Sequence, residues 1–144
     1  NALEDPEFTK LLYRAARAGV QVALLIRGIC RLRPGIPGLS DNVRVVSIIG
    51  RFLEHSRVYY FENGGEPEDF IGSADVMKRN LDERIEVLAP VRSPEHRAQL
   101  DDLIETMFAD RRQGWRLVDS TWHRDPTVTE PGVHAILLSR APFG

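Results

Sequence analysis

Val20-Gln21-Val22-Ala23-Leu24-Leu25-Ile26 is a nearly continuous apolar run of strand length, closed by the charged Arg27. A strand with one face in water would alternate polar and apolar residues, so this run suits a sheet covered on both faces. Just upstream, Asp5-Pro6-Glu7 has the marks of a helix start. Asp5 can accept from an unpaired backbone N–H, Pro6 sacrifices no bond in the first turn, and Glu7 lies beside the positive helix end. Phe8, Leu11, Leu12 and Ala15 then recur at helical spacing, and Gly19 supplies the stop. A helix followed by a buried strand predicts the α/β class.

Downstream, residues 30–42 form a loop broken by Pro34-Gly35 and Pro37-Gly38, and residues 43–47 a short strand. Residues 48–54 are expected as a turn or short helix, 58–61 as a strand, and Asn63-Gly64-Gly65 as a turn. Residues 85–88 are expected as a last core strand. Ser93-Pro94-Glu95 opens a second long helix, with Leu100, Leu103, Ile104, Met107 and Phe108 as its buried stripe. After Gln113 the pattern weakens. Residues 115–122 alternate faintly, Asp125-Pro126 and Glu130-Pro131-Gly132 interrupt, and Ala135-Ile136-Leu137-Leu138 is a short apolar run. The expected organisation is a domain over 1–112 and an extension over 113–144, packed on it as a strand or two, or else partly ordered, and without recognisable chemistry.

A chain of 144 residues can bury a real core. No apolar run reaches the roughly 18 residues of a membrane-spanning helix. Glu4 and Asp5 stand where a secretory signal would carry basic residues, so no signal is expected at this start. Cys30 is the only cysteine and cannot form an internal disulfide, which leans towards a reducing compartment.

The net charge of -2 hides a local asymmetry. Between Arg27 and Arg57 stand Arg27, Arg31, Arg33, Arg44, Arg51 and Arg57, against only Asp41 and Glu54. Every cation there is arginine, whose planar fork matches phosphate oxygens two at a time and stays charged at any working pH. A solvated surface is the other reading of such a cluster.

Within this region lies a short constellation: His55, Arg57 two residues on, Glu62, then Gly72-Ser73. On extended backbone, positions i and i+2 share a face, so His55 and Arg57 could address one phosphate together. The imidazole would serve proton transfer or nucleophilic attack, and the guanidinium would neutralise charge. A Gly-Ser turn can bring backbone N–H groups close to an anion. Phosphoryl transfer is catalysed mainly by such positioning and charge stabilisation. The constellation resembles the phospholipase D motif, H-x-K-x-x-x-x-D with a downstream G-S, but Arg57 replaces the lysine and Glu62 the aspartate.

Longer phrases carry a more specific resemblance. Leu25-Ile26-Arg27-Gly28-Ile29-Cys30, Leu32 to Ser40, Ser47 to Arg57, Ile71-Gly72-Ser73-Ala74-Asp75 and Met77 to Val87 all resemble polyphosphate kinase, as do Asn1-Ala2-Leu3 and Asp5-Pro6. The resemblance runs over about residues 1–110 and is to the second of that enzyme's two phospholipase-D-like domains. It implies an α/β fold with a mixed sheet flanked by helices. The implied activity is reversible transfer of the terminal phosphate of ATP to inorganic polyphosphate, with magnesium and a phosphohistidine intermediate. The phosphorylated histidine and the Mg2+ ligands are implied to lie outside this chain, in the enzyme's other domains. His55 matches the second-domain histidine that assists transfer as proton donor or phosphate ligand. Arg27 matches the nucleotide-phosphate arginine of an R-G-x-C phrase, Arg57 accompanies His55 at the ATP phosphates, and Arg84 matches another arginine there. The family phrase usually has tryptophan after Gly-Ser-Ala-Asp, where this chain has Val76. Implied partners are ATP or ADP, polyphosphate, the enzyme's N-terminal domains and further copies in a homo-oligomer, with no nucleic acid. The implied location is the cytoplasm, or peripherally the inner membrane face.

Other readings of the same residues stay open at this level. Arg84 could pair with Asp82 or Glu86, and Arg51 and Arg57 could brace Glu54 or Glu62. Asp75 and Glu86 suit structural hydrogen bonding better than a metal, and Tyr59 and Tyr60 suit core and sheet surface better than base stacking. The whole could be a non-catalytic polyphosphate- or nucleotide-binding module, or a phosphodiesterase that pairs two copies of His55 in a dimer.

Overall fold

Asp5 starts the first helix as its chemistry requires: its carboxylate accepts the Phe8 N–H at 2.7 Å. The structure, a computed structural model, describes residues 1–141. Its elements in chain order are α1 (Pro6–Arg17), β1 (Val22–Leu25), β2 (Val43–Ile48), β3 (Val58–Phe61), β4 (Glu68–Gly72), α2 (Lys78–Asp82), β5 (Leu88–Pro90), α3 (Pro94–Ala109), β6 (Gly114–Val118), β7 (Thr121–His123) and α4 (Val133–Arg140). Gly19, at φ +91°, makes the left-handed exit from α1 that a side chain would resist. β1 is shorter than the apolar run because Val20 still belongs to that exit, its N–H bonding to the Ala15 carbonyl at 3.1 Å.

β2 is the spine of the molecule. It pairs in parallel with β1, from Val22↔Val43 to Leu25↔Val46, and antiparallel with β6, giving a mixed sheet of order β1-β2-β6-β7. Its side chains divide cleanly by parity, as a pleated strand demands. Val43 and Val45 join Ala16, Phe8 and Leu12 of α1 on one face. Val46 and Ile48 join Met107 of α3 and Val133 of α4 on the other. Burying each of these valines contributes roughly 1.5–3 kcal/mol. The sheet is therefore a middle layer between helices, which is the α/β arrangement expected. β3, β4 and β5 form a separate antiparallel sheet of three strands.

Several expectations change. The stretch after Gln113 does form two strands as expected, but β6 and β7 are half of the central sheet and not an addition to it, with β6 directly against β2. Residues 142–144 of the extension lie outside the described residues. The run Ala135–Leu138 is not a strand but part of the helix α4, with Val133 and Leu137 facing the core. Residues 85–88 are not a core strand: Ile85 is fully exposed, and only Leu88 enters β5, at a sheet edge. Along α3 only Met107 is fully buried, while Leu100, Leu103, Ile104 and Phe108 are half-buried. The two ends of α3 serve different sheets, since Arg97 reaches Asp69 of β4 and Met107 reaches the β2 core. Residues 49–57 bend without forming a helix. Among the described residues no helix is long and apolar enough to cross a membrane.

Candidate functional site

β1 and β2 run in parallel, so both deliver chain to the same end of the sheet, the end where α/β folds place ligands. Arg27 follows β1 by two residues, and the segment after β2 carries His55 and Arg57 before β3 begins. The first residues of the chain lie between these two segments and the Gly72–Val76 turn. Leu3 bridges to both Cys30 and Val76, Leu3 N–H donates to the Ile29 carbonyl at 2.8 Å, and Val76 N–H donates to the Ala2 carbonyl at 3.1 Å.

That scaffold assembles one continuous hydrogen-bonded chain of side chains. Arg27 donates from Nε and Nη2 to Asn1 Oδ1 at 3.0 and 2.8 Å. Asn1 Nδ2 donates to Asp75 Oδ2 at 3.1 Å. Arg57 grips Asp75 with two bonds, Nε to Oδ1 at 3.2 Å and Nη2 to Oδ2 at 3.1 Å. The remaining edge of the Arg57 guanidinium meets His55. Nη1 donates to the His55 carbonyl at 3.1 Å, and Nη1 and Nη2 lie 3.0 and 3.2 Å from the ring nitrogens Nδ1 and Nε2. Arg27, His55 and Arg57 are therefore brought together, through Asn1 and Asp75.

Asp75 is buried, Arg27 and Arg57 are half-buried, and His55 is exposed. Burial alone would raise the Asp75 pKa, but the bonds from Arg57 and Asn1 and the Arg57 charge hold it below the ordinary aspartate value. Burial, followed by the Asp75 charge, pushes the Tyr59 phenol up, and that hydroxyl donates to the Ala74 carbonyl at 3.0 Å. Glu86 is held below its ordinary value by the Ser73 hydroxyl and the Asn80 amide, whose Nδ2 donates to Oε1 at 2.7 Å.

Arg84 is exposed on the segment between α2 and β5, and its charge also lowers the Glu86 pKa. Among the described residues it makes no ion pair with Asp82 or Glu86 and no hydrogen bond to His55 or Arg57. Gly72 and Ser73 turn their N–H groups inward, to the Arg57 and Val87 carbonyls, each at 3.0 Å, rather than leaving them for an anion. A Cβ at Gly72 would be tightly placed, 3.1 Å from Leu88 Cδ1 and 3.3 Å from the Val87 carbonyl oxygen. Glu62 takes no part. Five residues of extended chain separate it from Arg57, roughly 16 Å at about 3.3 Å per residue, and it accepts instead from the Tyr60 hydroxyl. The acid of the constellation is thus Asp75, whose place in Gly-Ser-Ala-Asp was visible but whose meeting with Arg57 only the fold could show. Arg51 stacks over the Phe52 ring at 5.4 Å, and Glu54 pairs with His134 at 2.8 Å, so neither arginine braces Glu54.

Magnesium does not fit the residues present. Among the described residues no three His, Cys, Asp or Glu groups converge on one point. The two nearest carboxylates are already taken up, Asp75 by Arg57 and Asn1, Glu86 by Ser73 and Asn80. Two open hollows, one beside Asn42 and one beside Asp69, do not include Arg27, His55 or Arg57. The cluster is a charged wall and not a closed pocket.

Residues 1–133 match the family model described as polyphosphate kinase C-terminal domain 2. A polyphosphate kinase of Thermosynechococcus vestitus is 49% identical over 97% of this chain, which covers 20% of that protein. Polyphosphate kinase 1 of Chlorobaculum tepidum is 54% identical over 85% of the chain, covering 18% of that protein. A crystal structure of polyphosphate kinase from Porphyromonas gingivalis superposes with a TM-score of 0.89 at 38% identity, over 97% of this chain and 22% of that one. The chain spans about a fifth of the length of the curated relatives it matches.

Proposed function

The chain belongs to the polyphosphate kinase family, as its second C-terminal domain, and we propose that it forms one wall of that enzyme's active site for transfer of the ATP terminal phosphate to polyphosphate. The observation that carries this reading is the linked array Arg27–Asn1–Asp75–Arg57–His55, in which an exposed imidazole stands at the end of a braced cationic chain. Transferring a phosphoryl group breaks one P–O bond and forms another, with negative charge spread over the oxygens throughout. Fixed cations and a positioned proton carrier are the protein's means of lowering that barrier.

The hydrogen bonding supports a division of labour among the cations. Arg57 has Nε, Nη1 and Nη2 all engaged with Asp75 and His55, so its part is to hold the imidazole and lend its charge through space. Nη1 of Arg27 has no hydrogen bond among the described residues and faces the role of phosphate ligand, with Arg84 offering a second cation from the Glu86 side. His55 supplies the proton to, or a hydrogen bond at, a phosphate oxygen. Substrates are ATP and inorganic polyphosphate. The nucleophilic histidine and the magnesium ligands belong to the opposite wall, on other domains of the enzyme.

The test is His55→Ala in the full-length enzyme. Loss of polyphosphate synthesis with the variant still folded is expected, and near-normal synthesis would overturn the role.

A further inference from the structure

The segment that presents His55 has almost no structure of its own. Residues 49–57 contain neither helix nor strand. Among the described residues, three hydrogen bonds tie 49–54 to other elements, and all three end on the region after α3. Ile49 N–H donates to the Gln113 carbonyl at 3.2 Å, Phe52 N–H donates to His134 Nδ1 at 3.3 Å, and His134 Nε2 meets Glu54 Oε1 at 2.8 Å.

His134 is 4% exposed, on the first turn of α4. A backbone N–H can only donate, so Nδ1 is the acceptor and the ring proton sits on Nε2, aimed at the Glu54 carboxylate. The Phe52 ring stands edge-on to the imidazole at 5.3 Å. Gln113 closes the other side, its Nε2 3.1 Å from Nδ1 and its Oε1 accepting the His134 N–H at 3.1 Å. The chain passes so close at Gly50 that a Cβ there would lie 1.7 Å from Gln113 Nε2 and 2.7 Å from His134 Nδ1. The helix itself is anchored separately, by Asp110 Oδ2 accepting the Val133 N–H at 2.7 Å. The Nε2 of His134 is thus spent on Glu54, and its Nδ1 is shared between the Phe52 N–H and Gln113, so neither ring nitrogen caps α4.

We propose that His134 is a positioning residue for His55. By fixing Phe52 and Glu54 it sets where the next side chain, His55, stands on the wall. This rests on the reading that His55 assists phosphoryl transfer. His134 touches no substrate, and its effect passes through Glu54 and the backbone. A displacement of about an ångström at a reacting group can cost up to about a hundredfold in rate.

The experiment uses the full-length enzyme with ATP, measuring kcat and KM for polyphosphate synthesis together with thermal melting. Glu54→Ala and His134→Asn are each expected to lower kcat by about ten- to hundredfold, with the KM for ATP changed by less than about twofold. His134→Asn retains an acceptor near the Phe52 N–H, so it removes the Glu54 contact with least risk to folding. The double variant is expected to be no worse than the weaker single, because both remove one link. Glu54→Gln keeps an oxygen for the Nε2 proton and is expected to restore near-normal kcat. Folded single variants with normal kcat, losses that multiply in the double variant, or a Glu54→Gln as damaged as Glu54→Ala would each overturn the proposal. Normal Glu54→Ala and His134→Asn beside a dead His55→Ala would sink this inference alone, whereas an active His55→Ala would sink the reading beneath it.

Discussion

Arg57 and Asp75, 18 residues apart in sequence, meet as a two-bond fork that joins the start of β3 to the turn after β4. Nε reaches Oδ1 at 3.2 Å and Nη2 reaches Oδ2 at 3.1 Å, with both side chains largely withdrawn from water. The pair fixes the guanidinium plane, and that plane in turn fixes His55. Charge-assisted forks of this kind add direction as well as energy.

Asp75 should make the protein's stability depend on acid pH. Its folded pKa is depressed, so the stability it contributes is complete above the unfolded aspartate value of about 3.9 and is lost as pH falls through the folded value. Asp75→Asn is expected to cost about 1.5–3 kcal/mol at pH 7, and the gap from the unmodified chain should narrow below about pH 4. Urea unfolding at the two pH values measures it, and an equal gap at both would contradict the assignment.

Arg27→Ala should separate binding from folding. Two of its donors reach only the Asn1 side chain, whereas Arg57 is gripped by the buried Asp75. In the full-length enzyme the expected result is a KM for ATP raised about tenfold, as for loss of a hydrogen bond to a charged group, with little change in melting temperature. Arg57→Ala should lower both kcat and melting temperature. Identical kinetic profiles for the two variants would refute the division of labour.

The Asp69–Arg97 pair holds α3 against the three-stranded sheet. Arg97 Nε donates to Asp69 Oδ2 at 2.9 Å and Nη2 to the Pro67 carbonyl at 2.5 Å, with the Asp69 side chain wholly buried. Arg97→Ala leaves that carboxylate without its cation and should cost about 3–5 kcal/mol. Replacing both residues, as Asp69→Leu with Arg97→Met, should cost less than the single change. A double variant less stable than Arg97→Ala would show that the ion pair is not the source of the loss.

Gly114→Ala should be among the more damaging small changes in the chain. A Cβ at Gly114 would lie 2.2 Å from the Asp110 carbonyl oxygen, a backbone atom that cannot swing aside. Gly114 also opens β6 opposite Ile48 of the central strand. Overpacking here is expected to cost about 1–3 kcal/mol, read as a lower urea midpoint at unchanged slope. An unchanged midpoint would mean that the turn at Asp110 can open freely.

The elements that were legible are those whose cause is local. Asp5, Pro6 and Gly19 delimit α1 through bonds and dihedral angles within a few residues. Apolar density marks β1 and β2 because both are covered on two faces. Ile85 to Leu88 has the same apolar density yet lies exposed, since a run of side chains cannot say whether another element comes to cover it. β6 gives a faint signal because Gly114 and Arg116 interrupt Trp115 and Leu117, although pairing with β2 makes it an inner strand of the sheet.

At the site, residue types and family phrases nominate Arg27, His55, Arg57 and Arg84 as phosphate-handling candidates, and the fold links the first three through Asn1 and Asp75. What each one touches was decided by tertiary structure. Motif spacing in the linear chain points to Glu62 as the acid, but the extended β3 carries Glu62 away while the turn after β4 brings Asp75 to Arg57. His134 lies in a region without motifs, and it meets Glu54 only because β6 threads beside β2 and returns α4 to the segment ahead of His55. Local chemistry is written in neighbouring residues, but a hydrogen bond between residues 54 and 134 depends on where the whole sheet places two distant segments.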